Sequence, residues 1–530
     1  MRFLFGLNPE ATTVWRSSLF TVRLLSLVMA SVAFAGVLWV TGPQGPGLQT
    51  SSAAYLGAAE SLVDGRGLRA PTAPWDSADS TARLTHYPPG YPIAIAVPQA
   101  LGLPGTESAR LVQALAAFVT VAVLVAVVGD AAGVGTAAAF GLALLVMPVM
   151  VDTHLSVLSE PLFFALLALT LGVMVAAPEA AFAAGLCAAG ALLVRFTGVS
   201  AAIAVALWMV VGRPSWRAAW RRAAVALAPT AALAAGWLWI ARGSALGAMH
   251  GLRLHDGLAH ALGDGAMTVA QWLAPAAPGT SWSWLAAVPV GAAVLAVLVA
   301  GTRRVRRLWQ LLPKELPLRS STNVPQLVAA RVLGACALLA GAYAAVVVGA
   351  RLFAAGDFTF DARIMSPLLL LVAVAFAVAA AGWWRSARRG LRAGLIVLLV
   401  AWGAAAFVAS RNEVRQSLGP GLDLANDAWS ESPLLEWVRG DGNRRPLYSN
   451  WPAVPYLYLG RPVRGVPSSS DAATLRAFGD SVRARGGLVL AFTAADPPAV
   501  PVDSLAVGSG LQVLARYPGG VVLGPARSVP

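Results

Sequence analysis

Apolar residues in this chain gather into long unbroken runs and do not alternate with polar ones. The runs lie at about 18–40, 109–129, 133–151, 157–176, 180–195, 197–212, 223–241, 284–301, 327–350, 364–384 and 393–410. Most approach the roughly 20 residues that a helix needs to cross a hydrocarbon core. The fold class they predict is an all-α polytopic membrane protein with about eleven transmembrane helices. The runs 180–195 and 197–212 are short, and from hydropathy alone they are either two spans or one long tilted helix.

Charge decides between these two. Three basic loops stand between runs: Arg213, Arg217, Arg221 and Arg222; Arg303, Arg304, Arg306, Arg307, Lys314 and Arg319; and Arg385, Arg388, Arg389 and Arg392. All three share the side of the N-terminus only if 180–212 crosses twice. The positive-inside tendency therefore favours eleven spans with a cytoplasmic N-terminus. The segments 41–107, Val151–Ser156, 242–283, Arg351–Arg363 and 411–530 then fall outside. The expected location is the cell inner (plasma) membrane, multi-pass, with the C-terminal region extracytoplasmic.

Composition agrees. Of 530 residues, 57% are hydrophobic and 12% charged, about half the charged share of an average soluble domain. The net charge of +14 sits in the short loops, so it reads as topology and no nucleic-acid partner is implied. Cys187 and Cys336 both lie inside apolar runs, which argues against a disulfide framework or a thiolate zinc site. The N-terminal run lacks a clean small-residue cleavage site and reads as a retained first span.

Beyond residue 410 the texture changes, with more Pro, Ser, Asp and turn signals. Two domains follow: a transmembrane domain 1–410, whose first outer loop 41–107 carries interfacial helices, and a small α/β domain 411–530. In the latter, Ser432-Pro433 opens a helix holding Leu434, Leu435 and Trp437. Ser470 is the predicted cap of a second helix with Leu475, Phe478 and Val482 on one face, ending at Gly486-Gly487. Leu488–Phe492 reads as a buried strand. Leu511–Arg516 and Val521–Leu523 flank Tyr517-Pro518-Gly519-Gly520 as a hairpin.

A loop as long as 41–107 usually has its own structure and often a function. Tyr55, Leu56, Ala59 and Leu62 make an apolar face at helical spacing, closed by Gly65 and Gly67. This predicts a helix lying in the membrane interface with Tyr55 in the aromatic belt. Thr85-His86-Tyr87-Pro88-Pro89-Gly90-Tyr91-Pro92 then enters the apolar Ile93–Leu103, a second interfacial helix. His86, held at this junction with Tyr87, is either an acid/base or phosphate-binding group or a hydrogen-bonded structural residue.

Ser51-Ser52-Ala53-Ala54-Tyr55-Leu56, with Ala59, Leu62, Gly65, Gly67 and Tyr87-Pro88-Pro89-Gly90-Tyr91-Pro92, resembles the first outer loop of GT-C superfamily membrane glycosyltransferases. These include bacterial aminoarabinose transferases and protein O-mannosyltransferase-like proteins of the glycosyltransferase 39 type. Ser159-Glu160-Pro161-Leu162-Phe163 resembles the family's Ser-Glu-x-Leu-Phe element, and Arg195 an arginine near a later span end. Asp361-Ala362-Arg363 with Pro367 is similar to its Arg-Tyr-x-x-Pro element, and Tyr448-Ser449-Asn450 to the start of its outer domain. Each motif is weak; their order and the topology carry the likeness over almost the whole chain. One position departs. The family usually has an Asp four residues before the Tyr, as base or metal ligand, and here that position is Ser51. Nearby acids are Glu60, Asp64, Asp76 and Asp79.

The resemblance implies transfer of a sugar from a polyprenyl-phosphate-linked donor to a lipid, glycan or protein acceptor, with membrane lipid as a further partner. The catalytic candidates are Glu160, then Glu60 or Asp79, as a carboxylate that activates an acceptor hydroxyl. Substrate-binding candidates are Tyr55, His86, Tyr87, Asp152, His154, Arg195 and Arg363. Asp152, His154, Glu160, Arg195 and Arg363 all fall near outer span ends, where guanidiniums suit a phosphate because their planar fork donates two hydrogen bonds. Each of these, taken singly, is equally an interfacial snorkelling group or salt-bridge partner. No metal ligands are identified, and a divalent metal ion remains open as a cofactor. His250, His255 and His260 stand five residues apart, a spacing that does not align them on one helical face, which argues against a metal site from these alone. Two other functions compete: a non-catalytic binder of lipid-linked glycans, which Ser51 favours, and a transporter, which the absence of a repeat between halves disfavours.

Overall fold

The structure, a computed structural model, describes residues 9–211, 215–240, 257–275, 281–311, 324–353, 359–440, 445–493 and 500–525. In chain order it runs α1 (Pro9–Val40), α2 (Thr50–Val63), β1 (Arg69–Ala70), β2 (Thr72–Ala73), β3 (Ala82–Arg83), α3 (Gly90–Ala100), α4 (Gly105–Ala132), α5 (Val134–Leu145), α6 (Pro148–Leu155) and α7 (Glu160–Ala176). Then come α8 (Ala181–Val194), a 3-10 turn (Phe196–Gly198), α9 (Val199–Val210), α10 (Trp216–Ile240), α11 (Leu258–Leu273), α12 (Ser281–Leu311), α13 (Val324–Phe353), α14 (Ala362–Trp384) and α15 (Arg389–Leu418). The remainder is α16 (Asp427–Ser430), α17 (Pro433–Gly440), β4 (Leu447–Ser449), α18 (Ala453–Leu459), β5 (Val463–Gly465), α19 (Ala472–Ala484), β6 (Leu488–Phe492), α20 (Val502–Ser509), β7 (Gln512–Tyr517) and β8 (Gly520–Gly524).

Among the described residues, six helices are long and apolar enough to cross a bilayer: Leu19–Val40 in α1, α4, α10, Pro325–Phe353 in α13, α14 and α15. The pair α5 and α6 passes the same test together and is bent by 54°. Four shorter apolar helices follow the same composition: α7, α8, Phe196–Val210 and Ala287–Arg303. Each of the eleven apolar runs coincides with one of these, and the chain is a multi-pass membrane protein.

The structure divides into two compact units. The first holds residues 1–40, 113–155 and 159–415 and is helical. Its helices approach closely where side chains are small, the usual device of packing without a hydrophobic driving force. A Cβ on Gly185 of α8 would stand 2.0 Å from the Ala226 carbonyl oxygen of α10. Over 180–212 the backbone forms two helices, as the charge pattern favours. Arg195 is extended (φ −145°, ψ 139°), the 3-10 turn follows, and α8 and α9 pack on each other as separate helices. The turn needs Gly198, whose added Cβ would lie 2.3 Å from the Ala191 carbonyl.

Three local expectations change. The turn at Val151–Ser156 is mostly helical, because Pro148, which lacks an N–H, stops α5 and opens α6 at a new angle. The expected loop 242–283 contains the helix α11; His250 and His255 lie outside the described residues. Tyr55 is not in an aromatic belt. It is 3% exposed, its ring 4.9 Å from those of both Tyr87 and Tyr91, and most of α2 is buried with it.

The second unit holds residues 41–112, 156–158 and 416–530. The 41–107 segment thus belongs with the C-terminal region, where the sequence placed a boundary at 410. The physical reason is a sheet: β2 pairs in parallel with β5, in a six-stranded order β2-β5-β4-β6-β8-β7. β2, β5, β4 and β6 are parallel, and β8 and β7 close the sheet as an antiparallel hairpin with Gly519 at φ 87°. Alternate residues of β6 feed two cores. Leu488, Leu490 and Phe492 meet Leu434, Leu435 and Val438 of α17, and Val489 and Ala491 meet Leu475, Phe478 and Val482 of α19. Burial on both faces is why β6 reads as an uninterrupted apolar run. The cap of α19 is Asp471, accepting from Thr474 N at 2.8 Å, in place of the expected Ser470.

Candidate active site

Glu160 opens α7, with Ser159 before it and Pro161 after it, a residue order suited to a helix start. A carboxylate there faces the positive end of the helix dipole. Glu160 is nonetheless 1% exposed in a membrane-spanning unit, where an unpaired charge is costly. Two arginines resolve this. Arg195, on the extended residue ending α8, brings Nη1 to 2.8 Å from Glu160 Oε1. Arg363, in the first turn of α14, brings Nη2 to 2.8 Å and Nε to 2.9 Å from the same oxygen. Ser159 Oγ accepts from Arg195 Nη1 at 3.1 Å and lies 3.4 Å from Glu160 Oε2.

The burial is one-sided. The Glu160 side chain is 1% exposed, while those of Arg195 and Arg363 are 19% and 31% exposed. The carboxylate holds the two guanidiniums in place, and their outer parts stay accessible. Breaking such a buried group by removing one member costs about 3–5 kcal/mol, because the remainder is left uncompensated.

Two further residues fix the start of α14. Asp361 is its N-cap, Oδ1 accepting from Ile364 N at 2.8 Å. Tyr343 of α13, 1% exposed, donates its hydroxyl to the Ile364 carbonyl at 2.7 Å. Tyr343 was not legible as a site residue: it is one apolar-run position among many, and only the packing of α13 on α14 gives it a role. Beside Arg363, Phe360 and Met365 line a groove of about 530 Å³ among α11, α12, α13 and α14, with Leu368, Val269 and Leu273.

The remaining candidates are placed as follows. His154, on α6, is 3% exposed; its Nδ1 faces the Met150 carbonyl at 2.7 Å, which puts the proton on Nδ1, and Nε2 has no hydrogen-bond partner among the described residues. Asp152 is half-buried on the same helix. In the second unit, exposed Glu60 accepts from Tyr456 Oη at 2.9 Å. Burial, with the Glu60 carboxylate next, pushes the Tyr456 phenol well above its ordinary range. Asp79 is 71% exposed and paired with Arg69 at 2.8 Å. Exposed His86 sits edge-on to Tyr87 at 4.8 Å. Exposed His260 lies 3.9 Å from Asp264. Among the described residues no three His, Cys, Asp or Glu side chains come together in a group that could hold a metal ion.

No family model and no curated protein matches the sequence. Among solved structures, the chain is similar to ArnT from Cupriavidus metallidurans in the apo state, at 13% identity and a TM-score of 0.48, covering 97% of this chain and 98% of that one. It is also similar to the Archaeoglobus fulgidus oligosaccharyltransferase in the apo form, at 11% identity and a TM-score of 0.48, covering 89% and 69%. A third is archaeal oligosaccharyltransferase AglB from the same organism, in complex with an inhibitory peptide and a dolichol-phosphate, at 10% identity and a TM-score of 0.48, covering 95% and 75%.

Proposed function

We propose that this chain is an integral membrane glycosyltransferase that moves a sugar from a polyprenyl-phosphate donor to a lipid, glycan or protein acceptor on the outer face of the inner membrane. The observation that carries the reading is the buried Glu160 holding Arg195 and Arg363 side by side, with the guanidiniums partly exposed. A phosphate is the ligand such a fork pair fits, since each guanidinium can donate two parallel hydrogen bonds. The apolar groove that begins at the neighbours of Arg363 suits the isoprenoid chain of the same donor. When the bond to the sugar breaks, charge grows on the phosphate oxygens, and fixed cations stabilise it without having to reorganise.

Glu160 is a positioning residue in this scheme. Its Oε1 already takes three guanidinium N–H contacts, so the carboxylate is committed to the arginines. Glu160→Gln should therefore splay the arginines and weaken donor binding. Arg195→Lys and Arg363→Lys should each weaken binding of a polyprenyl-phosphate sugar about tenfold or more, the worth of a charge-assisted hydrogen bond lost with the fork. Normal donor binding in both Lys variants, measured by calorimetry in detergent, would overturn the reading.

One observation favours a second reading, a binder without turnover. At Ser51, where the resembled family has an acid, the hydroxyl oxygen is buried and has no hydrogen-bond partner among the described residues. Donor binding without turnover in the natural protein, with turnover appearing in Ser51→Asp, would establish it. The acid is well placed for the backbone, since it would sit in the first turn of α2.

A further inference from the structure

A glycosyl transfer needs a group to take the proton of the acceptor hydroxyl, and that group must stand across the anomeric carbon from the leaving phosphate. Glu160 is clamped beneath the two guanidiniums and 1% exposed, which turns its carboxylate to the arginines and away from an acceptor. His154 Nε2 is bare but the residue is 3% exposed. One carboxylate near the arginines differs from both. Asp361 is exposed, and one residue separates it from Arg363, so the two Cα atoms are at most about 7 Å apart. Its Oδ1 is used by the Ile364 N–H, and Oδ2 has no partner among the described residues. Ile364 gives its N–H to Asp361 and its carbonyl to the Tyr343 hydroxyl, while Arg363 beside it reaches Glu160, so the four side chains meet at the start of α14.

From this placement we infer that Asp361 is the catalytic base of the proposed transfer, with Oδ2 receiving the acceptor proton. The inference rests on the phosphate reading of Arg195 and Arg363. The acceptor oxygen bonds to the anomeric carbon as the bond from that carbon to the phosphate oxygen breaks. The electron pair leaves on the polyprenyl phosphate, held by Arg195 and Arg363, and the hydroxyl proton moves to Asp361. The capping bond also orients the carboxylate, since Oδ1 fixed on Ile364 N leaves Oδ2 the only oxygen that can turn to substrate.

The capping role makes the test clean. Asn caps helices about as well as Asp, so Asp361→Asn keeps the start of α14 and removes only the charge. With the purified full-length chain in proteoliposomes and a radiolabelled polyprenyl-phosphate sugar, Asp361→Asn should lower turnover by about a hundredfold or more, the usual worth of a general base. Donor Kd and the thermal midpoint should stay at their natural values. Turnover near the natural level in Asp361→Asn, while Arg363→Lys loses donor binding, would overturn the base assignment and leave the phosphate reading standing. A loss of donor affinity equal to the loss of turnover would also overturn it, by showing that Asp361 acts on α14 and not on the acceptor. A loss confined to His154→Gln would move the role to that ring. Normal donor binding in both arginine variants would remove the reading on which the inference rests.

Discussion

Tyr456 donates its hydroxyl to Glu60 at 2.9 Å, and burial with that carboxylate beside it holds the phenol in its protonated form. A phenol whose folded-state value is raised contributes stability that is fully present below its unfolded value, near 10, and is lost as pH climbs through the higher folded value. Tyr456→Phe should therefore cost about 1 kcal/mol of stability at neutral pH, read as a lower midpoint of thermal unfolding, and no more because exposed Glu60 can turn to water. The gap between the two proteins should close as the pH rises above about 10. A gap that persists unchanged in alkali would mean that packing of the ring, not its hydroxyl, holds the site. The same residue shows a limit of local pattern. Glu60 is a plausible base on its helix face, but its partner stands 396 residues away.

At the scale of elements, the short helices α8 and α9 are two separate elements because Arg195 is extended and Gly198 lets the turn close against Ala191. The same close packing sets the distance from α8 to α10. Gly185→Ala would drive a Cβ into the Ala226 carbonyl, a backbone atom that cannot step aside. It should cost about 1–3 kcal/mol, the range for overpacked interiors, read as a lower unfolding midpoint in detergent. Gly236→Ala, on α10 with nothing within 4 Å of the added Cβ, should not. Equal effects would mean that helix propensity and not packing governs this pair. The strand β2 illustrates the opposite limit. Two residues, Thr72 and Ala73, carry no periodicity, and only pairing with Val463 and Arg464 makes them a strand.

At the scale of the whole molecule, the arrangement of basic loops predicts the sides of the membrane. Single cysteines within 303–319 and within 411–530, in a chain lacking Cys187 and Cys336, should label from opposite sides. Labelling of both from one side would remove the eleven-span topology and, with it, the outer-face location of the proposed reaction.

Residue type and spacing alone determined the apolar runs, the helices that occupy them, the strand Leu488–Phe492 and the closing hairpin. Burial in lipid or in a two-faced sheet demands an apolar stretch of a given length, and such a stretch is a local signal. Glu160, Arg195 and Arg363 were also visible as candidates, since charge at the end of an apolar run is conspicuous. What only the tertiary structure decided is that all three meet on one carboxylate oxygen, across 203 residues in the case of Arg363. The same holds for Tyr55, which is interchangeable between membrane belt and protein core until Tyr87 and Tyr91 close over it. Ion pairs and ring contacts are set by which elements fold back on which, and that choice is made by packing at long range, leaving no periodic trace along the chain.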